Sequence, residues 1–212
     1  MPYNKYGEKI RRRFDPSEDP YYSSIPRSEL VFYNSDRNIS QLRTKIVSKP
    51  NPIPDDTTLV VYIDGACRNN GRPTARASYG VYFGPNSPYN WNGLLDESLP
   101  QTSTRAEIEA LVQALPMIIA ITYFDRRITR IKIATDSSFL VKALSQWMER
   151  WIECGGVGSN GRQVAHFKIL KWMYDCLNRW EDKDRGEIQM WHVPRNMNRE
   201  ADALANKALD EA

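Results

Sequence analysis

Four acidic residues stand at positions that suit metal-dependent chemistry. Asp64 ends an apolar β-rich run and Asp136 follows a second strand pattern, while Glu107 and Asp202 lie in the opening turns of two helical patterns. Carboxylates from separate elements can converge on hydrated divalent ions. A pair of such ions about 4 Å apart activates a water molecule and stabilises a leaving oxygen. The set therefore indicates a magnesium-dependent nuclease.

Each acid also has a structural alternative when it is taken alone. Glu107 stands three residues after Thr104, which is the spacing of a capping box. Asp136 lies between a strand and a helix, where Asp is a favoured N-cap. Asp202 suits the positive end of a helix dipole, and Asp64 precedes a glycine and suits a turn. Only the presence of all four acids on separate elements favours metal binding over these roles.

The elements that must position the acids follow a regular pattern from residue 59 onward. The order β, β, α, β, α, α, β, α predicts an α/β sheet whose strand ends can collect distant side chains. Pro116 should kink or end the first helix, and four glycines mark a flexible loop over 155–161. The predicted strands are 59–63, 79–83, 130–134 and 188–193, and the predicted helices are 104–123, 137–151, 167–180 and one from 199.

The first 56 residues show no such pattern. They hold seven of the thirteen prolines and no sustained period of 2 or 3.6, which predicts an extended or poorly ordered, Pro-rich extension. The basic run Lys9–Arg13 is interpreted as a solvated charged tail, because acids flank it closely; phosphate binding or an address signal is the alternative. Those early acids also argue against a mitochondrial transit peptide.

Composition sets broad limits on function. A chain of 212 residues that is 41% hydrophobic can bury one substantial core. A net charge of +3 neither favours nor excludes a nucleic-acid partner. Three cysteines without CxxC spacing indicate a reducing compartment, and no apolar run predicts a signal peptide or a membrane span. We therefore expect a soluble, intracellular monomer with no membrane partner, in the nucleus, cytoplasm or mitochondrion.

Four segments resemble ribonuclease H of type 1 in sequence and order. They are YIDGACRNNG at 62–71, QTSTRAE at 101–107, ATDS at 134–137, and HVP at 192–194 followed by EADALA at 200–205. The resemblance implies that residues 57–212 form a catalytic domain with a mixed five-stranded sheet flanked by helices. It also implies hydrolysis of the RNA strand of RNA/DNA hybrids, leaving 5′-phosphate and 3′-hydroxyl ends. Two Mg²⁺ ions, with Mn²⁺ as a possible substitute, would be held by Asp64, Glu107, Asp136 and Asp202.

The turn after Asp64 is the expected reader of the RNA strand. RNA differs from DNA by its 2′-hydroxyl, which small polar groups and backbone amides can recognise in the minor groove. Cys67, Asn69, Asn70, Ser103 and Thr104 are the candidate contacts. The family usually has an Asn and a Gln where this chain has Ser and Thr at 103 and 104. The shorter side chains predict looser selectivity for hybrids.

Further substrate contacts are implied by the resemblance. Arg76 and Thr102 match the family's phosphate pocket for the DNA strand. His166 stands where an Asn is common, and an ordinary histidine at a helix start is the alternative. Trp147 and Trp151 share a helical face at the position of the family's hybrid-binding protrusion, although tryptophans with this spacing are more often core residues.

The loop before Asp202 departs most from the family pattern. Many members carry a mobile His there, whereas this chain has the shorter run PRNMNR at 194–199. His192 matches a structural position and does not replace the missing His. Arg195 and Arg199 are candidates to hold the phosphate, and we expect slower turnover than in relatives with the His.

Two other functions remain open from the sequence. One is a catalytically weak or inactive nucleic-acid-binding or interaction domain; the gathering of four mutually repelling carboxylates disfavours it. The other keeps the metal chemistry but acts on structured RNA or a Holliday-type junction, which the Asn-rich turn disfavours.

Overall fold

The computed structural model describes residues 12–182 and 186–212. They form a mixed β-sheet packed against helices. The strands are β1 (Arg13–Phe14), β2 (Val31–Asn34), β3 (Ile39–Thr44), β4 (Ile53–Pro54), β5 (Thr58–Arg68), β6 (Arg76–Tyr82), β7 (Trp91–Leu94), β8 (Arg130–Thr135) and β9 (Glu187–His192). The helices are α1 (Arg27–Leu30), α2 (Ser103–Phe124), α3 (Ser138–Lys142), α4 (Met148–Glu153), α5 (Phe167–Trp180) and α6 (Arg199–Asp210). A π-helical segment, Ala143–Trp147, joins α3 to α4.

Five strands make up the sheet that the resemblance implied. Their order is β7, β6, β5, β8, β9, with β5 antiparallel to β6 and parallel to β8, which in turn is parallel to β9. The predicted α/β fold with a mixed sheet flanked by helices is confirmed. The sequence pattern did not predict β7, because its four residues include Asn and Gly, which are depleted in strands.

The N-terminal segment extends this sheet at two places. β1 pairs in parallel with β9, and β3 pairs with β5 and with β2. Where the sequence predicted a flexible extension over 1–56, residues 12–54 thus contribute four short strands, and Leu30 and Leu42 are fully buried. The strands are short, and prolines lie between β1 and β2 and between β3 and β4, so no periodicity marks them in the sequence.

The basic run Lys9–Arg13 falls partly within this segment. Its first three residues lie outside the described ranges. Arg12 is buried and forms an ion pair of 2.5 Å with Glu181, while its guanidinium carbon lies 4.6 Å from the ring centroid of Tyr174. The prediction of a solvated tail is therefore wrong for Arg12. A buried, paired guanidinium instead anchors the segment to α5.

The two faces of β5 form two separate hydrophobic clusters. Leu59, Val61 and Ile63 pack with α2 and α5, whereas Val60 and Tyr62 pack with the N-terminal segment and α6. Successive strand side chains point to opposite faces, so both faces of the central strand are covered. This arrangement brings α2 and α6, which carry two of the four acids, against the sheet from opposite sides.

Helix α2 continues through Pro116 to Phe124, which agrees with the predicted helix over 104–123 and shows that the helix does not end at the proline. Pro116 lies on the exposed side of the helix, and Leu111, Ala114 and Ile118 on the other side are fully buried. Tertiary packing thus compensates for the hydrogen bond that the proline cannot donate. By length and composition alone α2 would suit a membrane, a test that the core helices of soluble proteins also pass.

Candidate active site

Asp64 lies at the centre of the candidate site. It is 5% exposed, sits in the second half of β5, and accepts a 2.9 Å hydrogen bond from the backbone N–H of Gly65. Burial raises the pKa of Asp64 to about 8, and the nearby charges of Asp136, Asp202 and Glu107 add to the rise. The four acids of the sequence motifs therefore interact electrostatically in the folded chain.

Glu107 lies on the first part of α2 and is oriented by a serine. The hydroxyl of Ser137 donates a short hydrogen bond to the Glu107 carboxylate. Burial raises the pKa of Glu107, and this hydrogen bond opposes the rise. The N-cap of α2 is Thr102, whose hydroxyl accepts from the backbone N–H of Arg105 at 3.2 Å. Glu107 is thus free of the capping role that its spacing from Thr104 suggested.

Asp136 follows β8 and likewise escapes the capping alternative. Ser137 is the N-cap of α3, because its hydroxyl accepts from the backbone N–H of Leu140 at 3.2 Å. The Asp136 carboxylate instead accepts from the Nε of Arg195 at 3.2 Å, and Nδ2 of Asn198 lies 3.4 Å from its other oxygen. One serine therefore caps the helix and holds Glu107, leaving Asp136 available to the site.

Asp202 is placed by the close packing of α6 on β6. A Cβ added at Gly80 would lie 2.3 Å from the carbonyl oxygen of Ala201, so only glycine allows this approach. The buried hydroxyl of Ser78 donates to the carbonyl of Ala205 at 2.6 Å and ties the same helix to the strand. Asp202 lies in the first turn of α6, half-buried, where the helix dipole favours a negative charge.

A second glycine sets the distance between Asp64 and Glu107. A Cβ added at Gly65 would lie 2.2 Å from the backbone nitrogen of Glu107 and 2.3 Å from the carbonyl carbon of Ala106. The start of α2 therefore rests directly on the backbone of β5. Gly65 and Gly80 together let two helices approach the strand pair that holds Asp64, and no periodicity argument could have identified this role.

The donor set fits a hard divalent cation. All four side chains offer carboxylate oxygens, the ligands that Mg²⁺ prefers, and the repulsion that raises the pKa of Asp64 is relieved when a cation binds. Among the residues that the structure describes, no three His, Cys, Asp or Glu side chains enclose a single point. In the same residues, Ser137 bonds the carboxylate of Glu107 and Arg195 bonds that of Asp136.

Asn198 is a site residue that the sequence reasoning missed. It is 1% exposed and donates from Nδ2 to the carbonyl of Ile63 at 3.1 Å, next to Asp64 in β5. The same nitrogen faces Asp136, and the buried Oδ1 has no hydrogen-bond partner in the described ranges. Its position at the N-cap of α6 was the available signal. Asn198 thus joins the elements that carry Asp64, Asp136 and Asp202.

Replacing Asn198 by Ala should impair the site more than the fold. The change leaves the Ile63 carbonyl without its donor, which costs about 1–3 kcal/mol of stability. Residues that orient metal ligands typically affect activity or metal affinity by about 10–100-fold, and we expect a loss in that range. Mg²⁺-dependent cleavage and thermal unfolding would measure both effects.

Thr58→Ala is the matched control for Asn198→Ala. The Thr58 hydroxyl accepts a buried 2.9 Å hydrogen bond from the backbone N–H of Leu42, at the opposite end of β5. Thr58→Ala should lower the stability by a similar amount, while the cleavage rate of the protein that remains folded should be unchanged. Equal activity losses in the two variants would contradict a specific role for Asn198.

The predicted RNA-reading residues lie together near the start of α2. Asn69 has a left-handed backbone with φ of 54°, and Nδ2 of Asn70 donates to the hydroxyl of Ser103 at 3.2 Å. The Sγ of Cys67 lies 3.5 Å from the carbonyl oxygen of Gln101. Thr104 is half-buried on the first turn. The turn after β5 is thus joined to the helix that carries Glu107.

The other predicted substrate residues are more dispersed. Arg76 is exposed and lies 3.8 Å from Glu97, and Thr102 is occupied as the N-cap of α2. His166 is half-buried with φ of 62°, and burial followed by the charge of Arg105 lowers its pKa. The rings of Trp147 and Trp151 are 5.5 Å apart, half-buried, and packed on the core. The buried faces of the two rings therefore pack against the core, and their outer edges are accessible to solvent.

Comparison with known proteins shows which family the chain resembles in sequence. The model of the RNase H family matches residues 56–210. Ribonuclease H1 of Rattus norvegicus is 33% identical over 161 residues, which are 73% of this chain and 51% of that protein. Ribonuclease H of Schizosaccharomyces pombe is 28% identical over 212 residues, which are 99% of this chain and 72% of that protein. The chain spans about half the length of the mammalian relatives it matches.

A solved structure supports the fold alone. It is that of an RNase H1 isolated from compost by a metagenomic approach, which is 20% identical with a TM-score of 0.53. The similarity covers 73% of this chain and 97% of the other.

Proposed function

The chain belongs to the ribonuclease H family, and on that premise we propose that it hydrolyses the RNA strand of RNA/DNA hybrids with divalent metal ions. The observation that carries the proposal is the buried carboxylate of Asp64, whose pKa is raised to about 8 by burial and by three other acids. A structural carboxylate would be stabilised by cationic partners, whereas the charges that act on Asp64 are those of three other acids.

The four acids would hold two Mg²⁺ ions. When bound, such ions supply an activated water and neutralise the charge that develops on the leaving oxygen, which predicts 5′-phosphate and 3′-hydroxyl ends. The protein's part is positioning. Ser137 fixes the carboxylate of Glu107, and Asn198 links the middle of β5, at Ile63, to Asp136. No covalent intermediate on the protein is required.

Recognition of the RNA strand is assigned to the turn after β5. Asn69 and Asn70 are exposed, and the bond between Asn70 and Ser103 holds the turn against α2 beside Glu107. Such small polar groups can reach a 2′-hydroxyl in a minor groove. Arg76 and Thr102 remain proposed contacts to the DNA strand, and His166 and the outer edges of Trp147 and Trp151 remain proposed contacts to the hybrid.

The proposal is tested by the products of cleavage. A hybrid labelled on its RNA strand would be incubated with the purified chain in Mg²⁺, in Mn²⁺ and in chelator. Mass spectrometry of the fragments should show 5′-phosphate and 3′-hydroxyl ends in both metals and no fragments in chelator. Cyclic phosphates, or cleavage in chelator, would contradict metal-dependent hydrolysis.

Arg195→Gln should slow cleavage about tenfold. Arg195 bonds the Asp136 carboxylate, and its side chain is 84% exposed, so its guanidinium is available to a phosphate at the site. A loss of about 1.4 kcal/mol, typical of a hydrogen bond to a charged group, corresponds to a factor of ten. Single-turnover rates at saturating hybrid would measure it. An unchanged rate would remove Arg195 from the mechanism.

Arg199→Gln is the natural comparison. Arg199 starts α6, and within the described residues no hydrogen bond or ion pair joins it to any of the four acids. We expect a change of less than about threefold, because an exposed charge outside such contacts contributes at most about 0.5 kcal/mol. A larger effect than that of Arg195→Gln would reassign the phosphate contact to Arg199.

A further inference from the structure

A cavity lies beside the acidic site, at the end of the strand pair β1–β9. Its volume is about 300 Å³. The N-terminal segment provides Arg13, Phe14, Asp15 and Arg27 to its walls, and β9 provides Trp191 and His192. The family match begins at residue 56, so most of the lining comes from residues outside the matched region.

Strand direction places the cavity at the catalytic end of the sheet. β1 is parallel to β9, and β9 is parallel to β8, so the C-terminal ends of all three strands lie at the same end. Asp136 follows β8 directly, and Nε2 of His192 lies 3.2 Å from its carbonyl oxygen. Pro194, which also lines the cavity, precedes Arg195, the partner of the Asp136 carboxylate. The cavity therefore adjoins the candidate active site.

The charges of the lining favour an anion. Two guanidinium groups face one carboxylate, and that carboxylate is already engaged. Asp15 accepts from the N–H of Ser17 at 3.0 Å, from its hydroxyl at 2.6 Å, and from Arg13 at 3.4 Å. Arg13 also lies 3.9 Å from Glu18, which is outside the lining. Arg27 is exposed and forms no ion pair within residues 12–182 and 186–212. Guanidinium groups bind phosphate in a forked geometry, which makes phosphate the fitting ligand.

The cavity is built on rigid parts of the fold. Phe14 and Trp191 are 4% and 3% exposed, and their rings meet edge to face with centroids 5.4 Å apart. Arg13 is paired with Met190 in the β1–β9 ladder. Arg27 begins α1, whose Leu30 is fully buried. The two guanidinium groups are thus carried by anchored backbone.

We propose that this cavity binds a backbone phosphate of the nucleic-acid strand that occupies the acidic site. This inference rests on the proposed function and extends the substrate surface onto the N-terminal segment. Phosphate contacts position a nucleic acid without reading its sequence. The contact would fix the register of the strand and strengthen hybrid binding, while the chemical step at the four acids would be unaffected.

The test compares Arg13→Gln/Arg27→Gln with the unaltered chain. In an Asp64→Asn background, fluorescence anisotropy would measure hybrid binding over a range of salt concentrations. The loss of one phosphate contact should reduce the steepness of the slope of log K against log salt by about 0.9. We expect Kd to rise about tenfold, and in the active enzyme KM should rise similarly while kcat changes less than about twofold, a separation that a structural defect would not give.

Two further variants serve as controls. Arg27→Gln alone keeps the contacts of Arg13 with Asp15 and should show part of the effect without loss of thermal stability. Arg127→Gln removes an exposed arginine, whose side chain is 67% exposed, from the loop before β8 at the opposite end of the sheet. It should leave the slope and Kd unchanged.

The binding measurements can overturn the proposed phosphate contact independently of the cleavage assay. An unchanged slope and Kd in the double variant would overturn it, even if hybrid cleavage is normal. If the double variant loses binding of inorganic phosphate but keeps hybrid affinity, the cavity serves a free anion and the proposal is also wrong. If the unaltered chain binds hybrids but fails to cleave them, and the double variant shows the predicted loss of hybrid binding, the cavity proposal stands and the proposed function fails.

Discussion

An Asp64→Asn variant should lose hybrid cleavage by about a thousandfold or more while remaining folded. Asp64 is the most buried of the four acids and interacts with the other three. Metal ions in such sites contribute several kcal/mol of transition-state stabilisation, and a loss of about 4 kcal/mol corresponds to about a thousandfold in rate. Single-turnover cleavage of a labelled hybrid in Mg²⁺ measures the effect.

The same variant should not be destabilised in the absence of metal. The pKa of Asp64 is raised from 3.8 to about 8, so the stability associated with its protonated form is present below 3.8 and is lost as the pH rises toward 8. Above that pH the ionised carboxylate opposes folding, and Asn removes the charge. Thermal unfolding in chelator should therefore give a melting temperature at least equal to that of the unaltered chain.

Asp56→Asn is the matched control, because Asp56 is exposed and precedes the opposite end of the same strand. It should leave cleavage unchanged. Full activity of Asp64→Asn, or a loss of activity explained by unfolding, would contradict the assignment of Asp64 to the metal site.

A Gly65→Ala variant should lose both activity and stability. The added methyl would meet the backbone of Glu107 at 2.2 Å and of Ala106 at 2.3 Å, so α2 must move away from β5. Overpacking of this kind costs about 1–3 kcal/mol. A displacement of about 1 Å in catalytic geometry can reduce rates about a hundredfold, and we expect at least that loss under conditions where the variant is folded.

Gly158→Ala provides the comparison for Gly65→Ala. Gly158 has neighbours at ordinary contact distances of 3.4 Å and beyond. This substitution should change cleavage and stability little. Thermal unfolding and single-turnover rates would be measured for both variants. If Gly65→Ala retained normal activity, the close contact between β5 and α2 would not be what places Glu107.

Much of the sheet and of the helices was predictable from periodicity. The predicted helix 167–180 coincides with α5, because its apolar residues recur on one face and bury Leu170, Met173, Tyr174 and Leu177. The predicted strands at 59–63 and 130–134 lie within β5 and β8. Buried central elements show strong hydrophobic periodicity because they are long and their core-facing residues recur along the whole element.

The N-terminal strands were not predictable in the same way. β1 has two residues and β2 has four, so neither is long enough to show a period. Their stability comes from long-range contacts, such as Phe14 against Trp191 and Arg12 against Glu181. Such pairings depend on the tertiary structure, and the prolines between the strands gave the opposite indication.

The sequence singled out the four acids as candidate ligands, but it did not predict their surroundings. The capping alternatives for Glu107 and Asp136 could be excluded only when Thr102 and Ser137 were seen to cap the helices. The role of Asn198 depends on its distance to Ile63, which lies 135 residues away in the chain. Residue type and spacing identify groups that can do chemistry, whereas the residues that orient them are defined by contacts.

The most direct test of the central claim is a single comparison of substrates. RNA/DNA hybrid, RNA/RNA and DNA/DNA duplexes of one sequence would be incubated in Mg²⁺ with the unaltered chain and with Asp64→Asn. We expect cleavage of the hybrid alone, confined to its RNA strand and lost in Asp64→Asn. Binding of the hybrid without cleavage, or equal cleavage by Asp64→Asn, would contradict it.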